Sequence, residues 1–155
     1  MRILVMSDSH GDYGRVRQAA LAQQKAEIII HCGDGEREIG NLKLDFQDKA
    51  IYGVRGNCDW GSAMPIEDFI NVEGRKIMFT HGYSYYVKSG YGAVKQAARD
   101  NHADIVLFGH THIPLDEYED GLYVMNPGSI GGYGATYGVI EITPKGIMTN
   151  IVKMG

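Results

Sequence analysis

The sequence predicts an α/β fold in which short, buried parallel strands deliver polar residues to one edge of a sheet. Two observations carry that prediction. Apolar runs at 2–7, 28–30, 50–54 and 105–108 are short and continuous, the pattern of strands covered on both faces. Each run then empties into a polar, glycine-containing turn: Asp8-Ser9-His10-Gly11, His31-Cys32-Gly33-Asp34-Gly35, Arg55-Gly56-Asn57-Cys58-Asp59 and Gly109-His110-Thr111-His112. In open α/β sheets ligands bind outside the carboxyl ends of the parallel strands, so residues distant in sequence converge in one crevice.

Taken in order, the first strand leads into an amphipathic helix over Tyr13 to Lys25, where Val16, Ala19, Ala20 and Ala22 recur at helical intervals without proline. The strands at 28–30 and 50–54 follow. From Asp68 the texture changes. Phe69 to Glu73 and Lys76 to Thr80 read as a hairpin across Gly74-Arg75 whose second strand delivers His81-Gly82. Gly90 to Asn101 reads as a second helix, followed by the strand at 105–108. Strands at 116–119, 122–125, 137–142 and 147–152, separated by Asp120-Gly121 and Pro144-Lys145-Gly146, make the latter half mainly β. The glycine-rich stretch 128–138 lacks both a Gly-Lys-Ser/Thr ending and a following helix, so it is not read as a phosphate-cradling loop.

A chain of 155 residues is expected to form one folded unit and to bury roughly 70% of its unfolded surface. No apolar run reaches the roughly 18 residues of a membrane span, and the N-terminal residues lack the features of a secretory signal, so a cytoplasmic location is expected. A net charge of −4 without any Lys/Arg run argues against duplex nucleic acid as a partner. Two cysteines, Cys32 and Cys58, are too few for a disulfide framework. The β-rich tail and surface tyrosines suit a homo-oligomer contact, but no symmetry follows from them.

Asp8 and His10 stand two residues apart, which on an extended strand-end points both side chains to one side. His110 and His112 repeat that spacing with the commonest nitrogen metal ligand. Singly, each motif has an ordinary alternative: a capping Asp, a Gly-Asp turn, a surface His. Jointly the order is Asp-x-His, Gly-Asp, Gly-Asn-x-Asp, His-Gly, Gly-His-x-His.

That ordered set resembles the calcineurin-like metallophosphoesterase superfamily over residues 8–112. The short, insert-free chain looks most like its compact bacterial and archaeal phosphodiesterases, and the retromer subunit vacuolar protein sorting 29 is similar in fold. The resemblance implies a four-layer α/β/β/α sandwich with two metal ions at one edge. Asp8, His10, Asp34 and His112 would bind one ion; Asp34, as the bridge, with Asn57, His81 and His110 would bind the other. Such a mixed O/N donor set without thiolate suits Mn²⁺, the expected metal, or Ni²⁺, Fe, Co²⁺ or Zn²⁺.

The implied reaction is hydrolysis of a small phosphodiester by a metal-bridging hydroxide attacking phosphorus in line. Asn57 would also donate its amide hydrogen to a phosphoryl oxygen. The family pattern commonly has His where this chain has Cys58, and a thiol is a poor neutral-pH acid for the leaving oxygen. Trp60, Tyr83, Tyr85 and Tyr86 are candidates to line a substrate cleft, and Arg37 and Arg55 to meet phosphate. His31, His102 and Cys32 are read as structural. The competing functions are a non-catalytic protein-interaction scaffold of the same fold and a single structural or regulatory metal site. The natural substrate is not encoded in these motifs.

Overall fold

The computed structural model describes residues 1–154. The order along the chain is β1 (Arg2–Met6), α1 (Tyr13–Ala22), β2 (Ile28–His31), α2 (Glu36–Asp45), β3 (Ala50–Gly53), β4 (Glu67–Val72) and β5 (Arg75–Thr80). It continues with α3 (Gly92–Asp100), β6 (Ile105–Leu107), β7 (Leu115–Glu119), β8 (Leu122–Asn126), β9 (Thr136–Thr143) and β10 (Gly146–Lys153).

The strands form two five-stranded mixed sheets, ordered β10-β9-β1-β2-β3 and β4-β5-β6-β8-β7. β1, β2 and β3 run parallel in the first, and β5, β6 and β8 run parallel in the second. Side-chain alternation along each strand builds the layers. Ile3, Val5, Ile28 and Ile30 meet Ile77, Phe79, Ile105 and Leu107 between the sheets. The intervening Leu4, Met6 and Ile29 face Val16, Ala19 and Ala20 of α1 and Leu42 of α2. On the far side Met78, Val106 and Phe108 pack on Val94 and Ala98 of α3. The result is an α/β/β/α sandwich.

Helix α1 stops at Ala22 rather than Lys25: after Ala20 the next buried residue is Ala26, so the intervening residues have no apolar face to continue. Helix α2 occupies residues for which the sequence reading offers no element. Only Ile39 and Leu42 are its buried apolar residues, too narrow a stripe to register as periodicity. Its acidic first turn and Lys43 in the last suit the helix dipole. The β4–β5 turn is Glu73-Gly74, both at positive φ, so Arg75 already pairs with Val72; positive φ at both central residues is the twist-matched two-residue hairpin geometry.

Candidate metal centre

The loops leaving β1, β2, β5 and β6 are stitched together at one edge. The Asp8 and His10 N–H groups donate to the carbonyls of Gly33 and Asp34 (2.9 and 3.0 Å), and Gly109 N–H donates to the His81 carbonyl (3.0 Å). The His110 N–H donates to Asp8 Oδ2 at 2.9 Å, joining the two sheets.

The extended strand-end geometry expected for Asp8 with His10 and for His110 with His112 is not what forms. Asp8, His10, Asp34, His110 and His112 have φ of 55°, 44°, 59°, 71° and 61°. Each sits in a left-handed turn because the chain must bend across the sheet edge to make the bonds above. That conformation costs a non-glycine residue about 1 kcal/mol, although Asp and His tolerate it better than most. His110→Gly is therefore expected to leave the metal-free protein about 1 kcal/mol more stable than His110→Ala, as read from urea unfolding.

The turns bring all seven predicted residues together. Asp8, Asp34 and His81 are buried and form the floor; His10, Asn57 and His112 are exposed at the rim, with His110 between. His112 Nε2 lies 3.2 Å and His10 Nε2 3.5 Å from Asp8 Oδ1. His10 Nε2 is also 3.7 Å from Asp34 Oδ2. On the other side His81 Nε2 is 3.3 Å from Asp34 Oδ2, 3.0 Å from Asn57 Oδ1 and 3.2 Å from His110 Nδ1. Asp34 belongs to both groups, and Asp8 Oδ1 also lies 3.9 Å from His81 Nε2.

The donor chemistry fits a cation. His81 Nδ1 lies 2.7 Å from the carbonyl of Cys32, an acceptor only, so the ring proton is there and Nε2 presents a lone pair. That lone pair faces Asp34 Oδ2, 3.3 Å away, acceptor against acceptor, a contact that a cation or an added proton reconciles. Among the described residues no Lys or Arg pairs with Asp8 or Asp34. Burial raises the Asp34 pKa, but the hydrogen bond and charge of His81 and the Cys58 N–H override it and hold the carboxyl well below the usual carboxylate range.

Residues without a sequence-level role support this set. Asp59 is in the quoted Gly-Asn-x-Asp motif, and its Oδ2 accepts from the N–H groups of Asp34 (2.9 Å) and Gly56 (2.8 Å). Glu38, buried on α2, accepts from Gly11 N–H at 2.6 Å. Asn126, buried at the end of β8, donates to the Gly109 carbonyl and to Thr111 Oγ1 and so braces the His110–His112 turn. No sequence pattern distinguishes Glu38 or Asn126 from ordinary surface residues.

His31 is wholly buried. Gly33 N–H donates to its Nδ1 (3.2 Å), so Nε2 carries the proton and donates to Ser9 Oγ (2.9 Å), steadying the residue between Asp8 and His10. Burial pushes its pKa down to about 4, keeping it neutral. Cys32 packs between the sheets. His102 lies in the turn before β6, at the opposite end of that strand from His110.

Cys58 is exposed. Its N–H donates to Asp34 Oδ1 at 2.7 Å, and its Sγ lies within 4.8 Å of a His10 nitrogen and an Asp34 oxygen. Burial and the Asp34 carboxylate raise its pKa. Trp60, Tyr83 and Tyr86 line a cleft beside Asn57 and His81 with Arg55, whereas Arg37 lines a second depression beside His10 and Cys58. Tyr85 does not join the cleft: its hydroxyl bonds to Glu67 and its ring packs toward the α3 core. The glycine-rich loop lies behind the site, where Ser129 Oγ donates to the Asp8 carbonyl (2.8 Å) and Ile130 N–H to the Ser7 carbonyl (3.0 Å).

A two-sheet sandwich with carboxylates and imidazoles converging at one edge defines a metal-binding hydrolase class. Residues 1–145 match the Calcineurin-like phosphoesterase superfamily domain, and the chain belongs to that superfamily. It is a metal-dependent phosphoesterase. A probable metallophosphoesterase of Bacillus subtilis, YsnB, is 35% identical over 131 residues, covering 84% of this chain and 75% of that protein. The phosphodiesterase MJ0936 of Methanocaldococcus jannaschii is 29% identical over 164 residues, covering 94% and 95%. Among solved structures, a predicted phosphoesterase of Streptococcus pneumoniae superposes with a TM-score of 0.84 at 28% identity, covering 98% of this chain and 88% of that one. Vps29 of Entamoeba histolytica in complex with Zn²⁺ shares the fold at a TM-score of 0.76 and 20% identity, with 99% of each chain covered.

Proposed function

We propose that this protein is a dinuclear-metal phosphodiesterase acting on small phosphodiesters. The observation that carries the reading is the position of Asp34, whose Oδ2 lies 3.7 Å from His10 Nε2 and 3.3 Å from His81 Nε2, the latter also 3.0 Å from Asn57 Oδ1. Asp8, His10, Asp34 and His112 would hold one ion, and Asp34, Asn57, His81 and His110 the second. Bound there, two divalent ions, with Mn²⁺ our choice, supply Lewis acidity that activates water and neutralises phosphoryl charge. The Asn57 amide, exposed at the rim, presents donors to a phosphoryl oxygen while its Oδ1 turns to the His81 side.

The test is turnover of bis(p-nitrophenyl) phosphate with added Mn²⁺, before and after chelation. Mn²⁺-dependent release of nitrophenol is expected, together with a higher unfolding temperature in Mn²⁺. A correctly folded protein without metal-dependent turnover, as judged by circular dichroism, sinks the catalytic reading. The competing scaffold reading draws on the fold shared with Vps29; the complete donor set favours an enzyme, because a scaffold has no need of seven competent ligands.

Cys58, exposed beside His10 and Asp34, occupies the position at which the family pattern commonly has a histidine to protonate the leaving oxygen. A thiol serves that role weakly, so rates are expected to depend steeply on leaving-group pKa, with aryl esters favoured and Cys58→His modestly faster on poor leaving groups. A graded series of aryl methyl phosphates measures the slope, and a flat line removes the idea.

A further inference from the structure

The cleft beside Asn57 and His81 has a volume of about 540 Å³, within the range of small-molecule sites. Two of its lining residues are proposed metal ligands, so anything seated in it is contiguous with the reacting phosphorus. Its other walls carry a group of exposed aromatic and aliphatic side chains beside Arg55, Asp59, Thr80 and Ser84. Trp60, on the loop after β3, is 89% exposed, while Tyr86, Tyr83 and Ile66 are 77%, 59% and 50% exposed. The other exposed large apolar side chains line no part of this cleft: Leu21 and Leu44 sit on α1 and α2, Tyr118 and Met148 on β7 and β10, Ile113 follows His112 and Tyr133 lies in the glycine-rich loop. Contiguous exposure of this kind marks a binding surface, whereas single exposed residues do not.

Two further features tie these aromatics to the site. Tyr86 holds a left-handed φ of 53°, strain that a bulky residue retains only where its surroundings impose it. The Tyr83 ring meets His110 edge-on, with centroids 5.5 Å apart at 84°. The depression on the other side of the centre is different in kind: it measures about 350 Å³ and is lined by Glu36, Arg37 and Glu38 beside His10 and Cys58, with no Trp, Tyr or Phe.

We propose that the aromatic cleft binds a planar aromatic substituent of the phosphoester, a nucleobase or an aryl ring, stacked on Trp60 with Tyr83 and Tyr86 as the neighbouring walls. The inference rests on the phosphoesterase reading and adds the substrate class. Stacking on Trp and Tyr is strong and tolerant of ring identity, because every base or aryl ring has a π-face. Arg55 on the same wall commits one N–H to the Ser62 carbonyl at 3.3 Å; its guanidinium has further donors for polar atoms of the occupant. A concave cleft floored by metal ligands suits one arm of a small ester better than the surface of a folded partner.

Trp60 is the only tryptophan in the chain, so its fluorescence reports on this cleft without reference to catalysis. Phenyl phosphate and adenosine monophosphate are expected to quench it saturably, and methyl phosphate to leave it unchanged. As inhibitors of bis(p-nitrophenyl) phosphate hydrolysis, phenyl phosphate should bind about tenfold tighter than methyl phosphate, and Trp60→Ala and Tyr86→Ala should each collapse that ratio. Tighter binding of adenosine monophosphate than of phenyl phosphate assigns the cleft to a nucleobase, and the reverse order to an aryl group. Quenching without any turnover keeps the subsite and removes the catalytic reading. Turnover with equal inhibition by phenyl and methyl phosphate overturns the subsite. A blue shift of Trp60 emission with protein concentration alone, matched by dimer in sedimentation, also overturns it, since the cleft is then an interface between copies.

Discussion

Asp34→Asn is expected to lower kcat/KM for bis(p-nitrophenyl) phosphate by about a thousandfold or more, with the fold intact. The main-chain bond from Asp34 N–H to Asp59 does not involve the side chain and persists. The side chain is oriented by the Cys58 N–H, which needs an oxygen at the Oδ1 position. The amide must then place its NH₂ group where Oδ2 now faces His81 and His10. A donor there points hydrogen at the proposed ion position and removes the anionic ligand that the dinuclear reading assigns to both halves of the site. A thousandfold loss corresponds to about 4 kcal/mol of transition-state stabilisation. In the metal-free protein the same NH₂ can donate to the bare His81 Nε2, so the urea midpoint is expected to equal or exceed that of the parent. Kinetics, elemental analysis of bound metal and urea unfolding together check this. Activity within tenfold of the parent would show that Asp34 is not a shared ligand.

Gly56→Ala is the second large effect, and it arises from space alone. The φ of Gly56 lies outside the left-handed range, so alanine can adopt the backbone. Its Cβ, however, would overlap Asp34 Oδ1 and lie 2.5 Å from Asp34 N. Asp34 has nowhere to retreat, because the Asp59 carboxylate holds the backbones of Asp34 and Gly56 together. Overpacking of this kind costs about 1–3 kcal/mol, and relief requires displacing the Asp34 carboxylate. Both a lower melting temperature and loss of metal-dependent turnover are expected. Gly40→Ala is the matched control: its Cβ meets nothing within 4 Å on α2, and it should stabilise by about 0.5–1 kcal/mol. If Gly56→Ala keeps full activity, the close approach of the loops after β2 and β3 is not required.

The donors were legible in the sequence because each follows an apolar run that has to be a strand, and a strand must end in a turn. Asp8, Asp34, Asn57, His81 and His110 all follow such runs. Extended spacing nevertheless does not describe Asp8 with His10 or His110 with His112, which meet through left-handed turns. Helix α2 was illegible for a related reason. Its buried face holds only Ile39, Leu42 and the carboxylate-bearing Glu38, and that last residue is buried because it ties down Gly11. Tyr85 shows the converse limit: it stands between two cleft residues in sequence, yet a one-turn helix directs it to Glu67 and the core.

Residue chemistry and strand periodicity are local properties, so the chain alone settled the α/β class and the order of the metal-competent groups. Which lone pairs face one another was decided only by the tertiary structure. The tautomer of His81 depends on the carbonyl of Cys32, the orientation of Asp34 on the N–H of Cys58, and the need for glycine at position 56 on the carboxylate of Asp34. Those partners lie more than twenty residues apart, and no local pattern encodes a contact that exists only once two sheets have closed on a common edge.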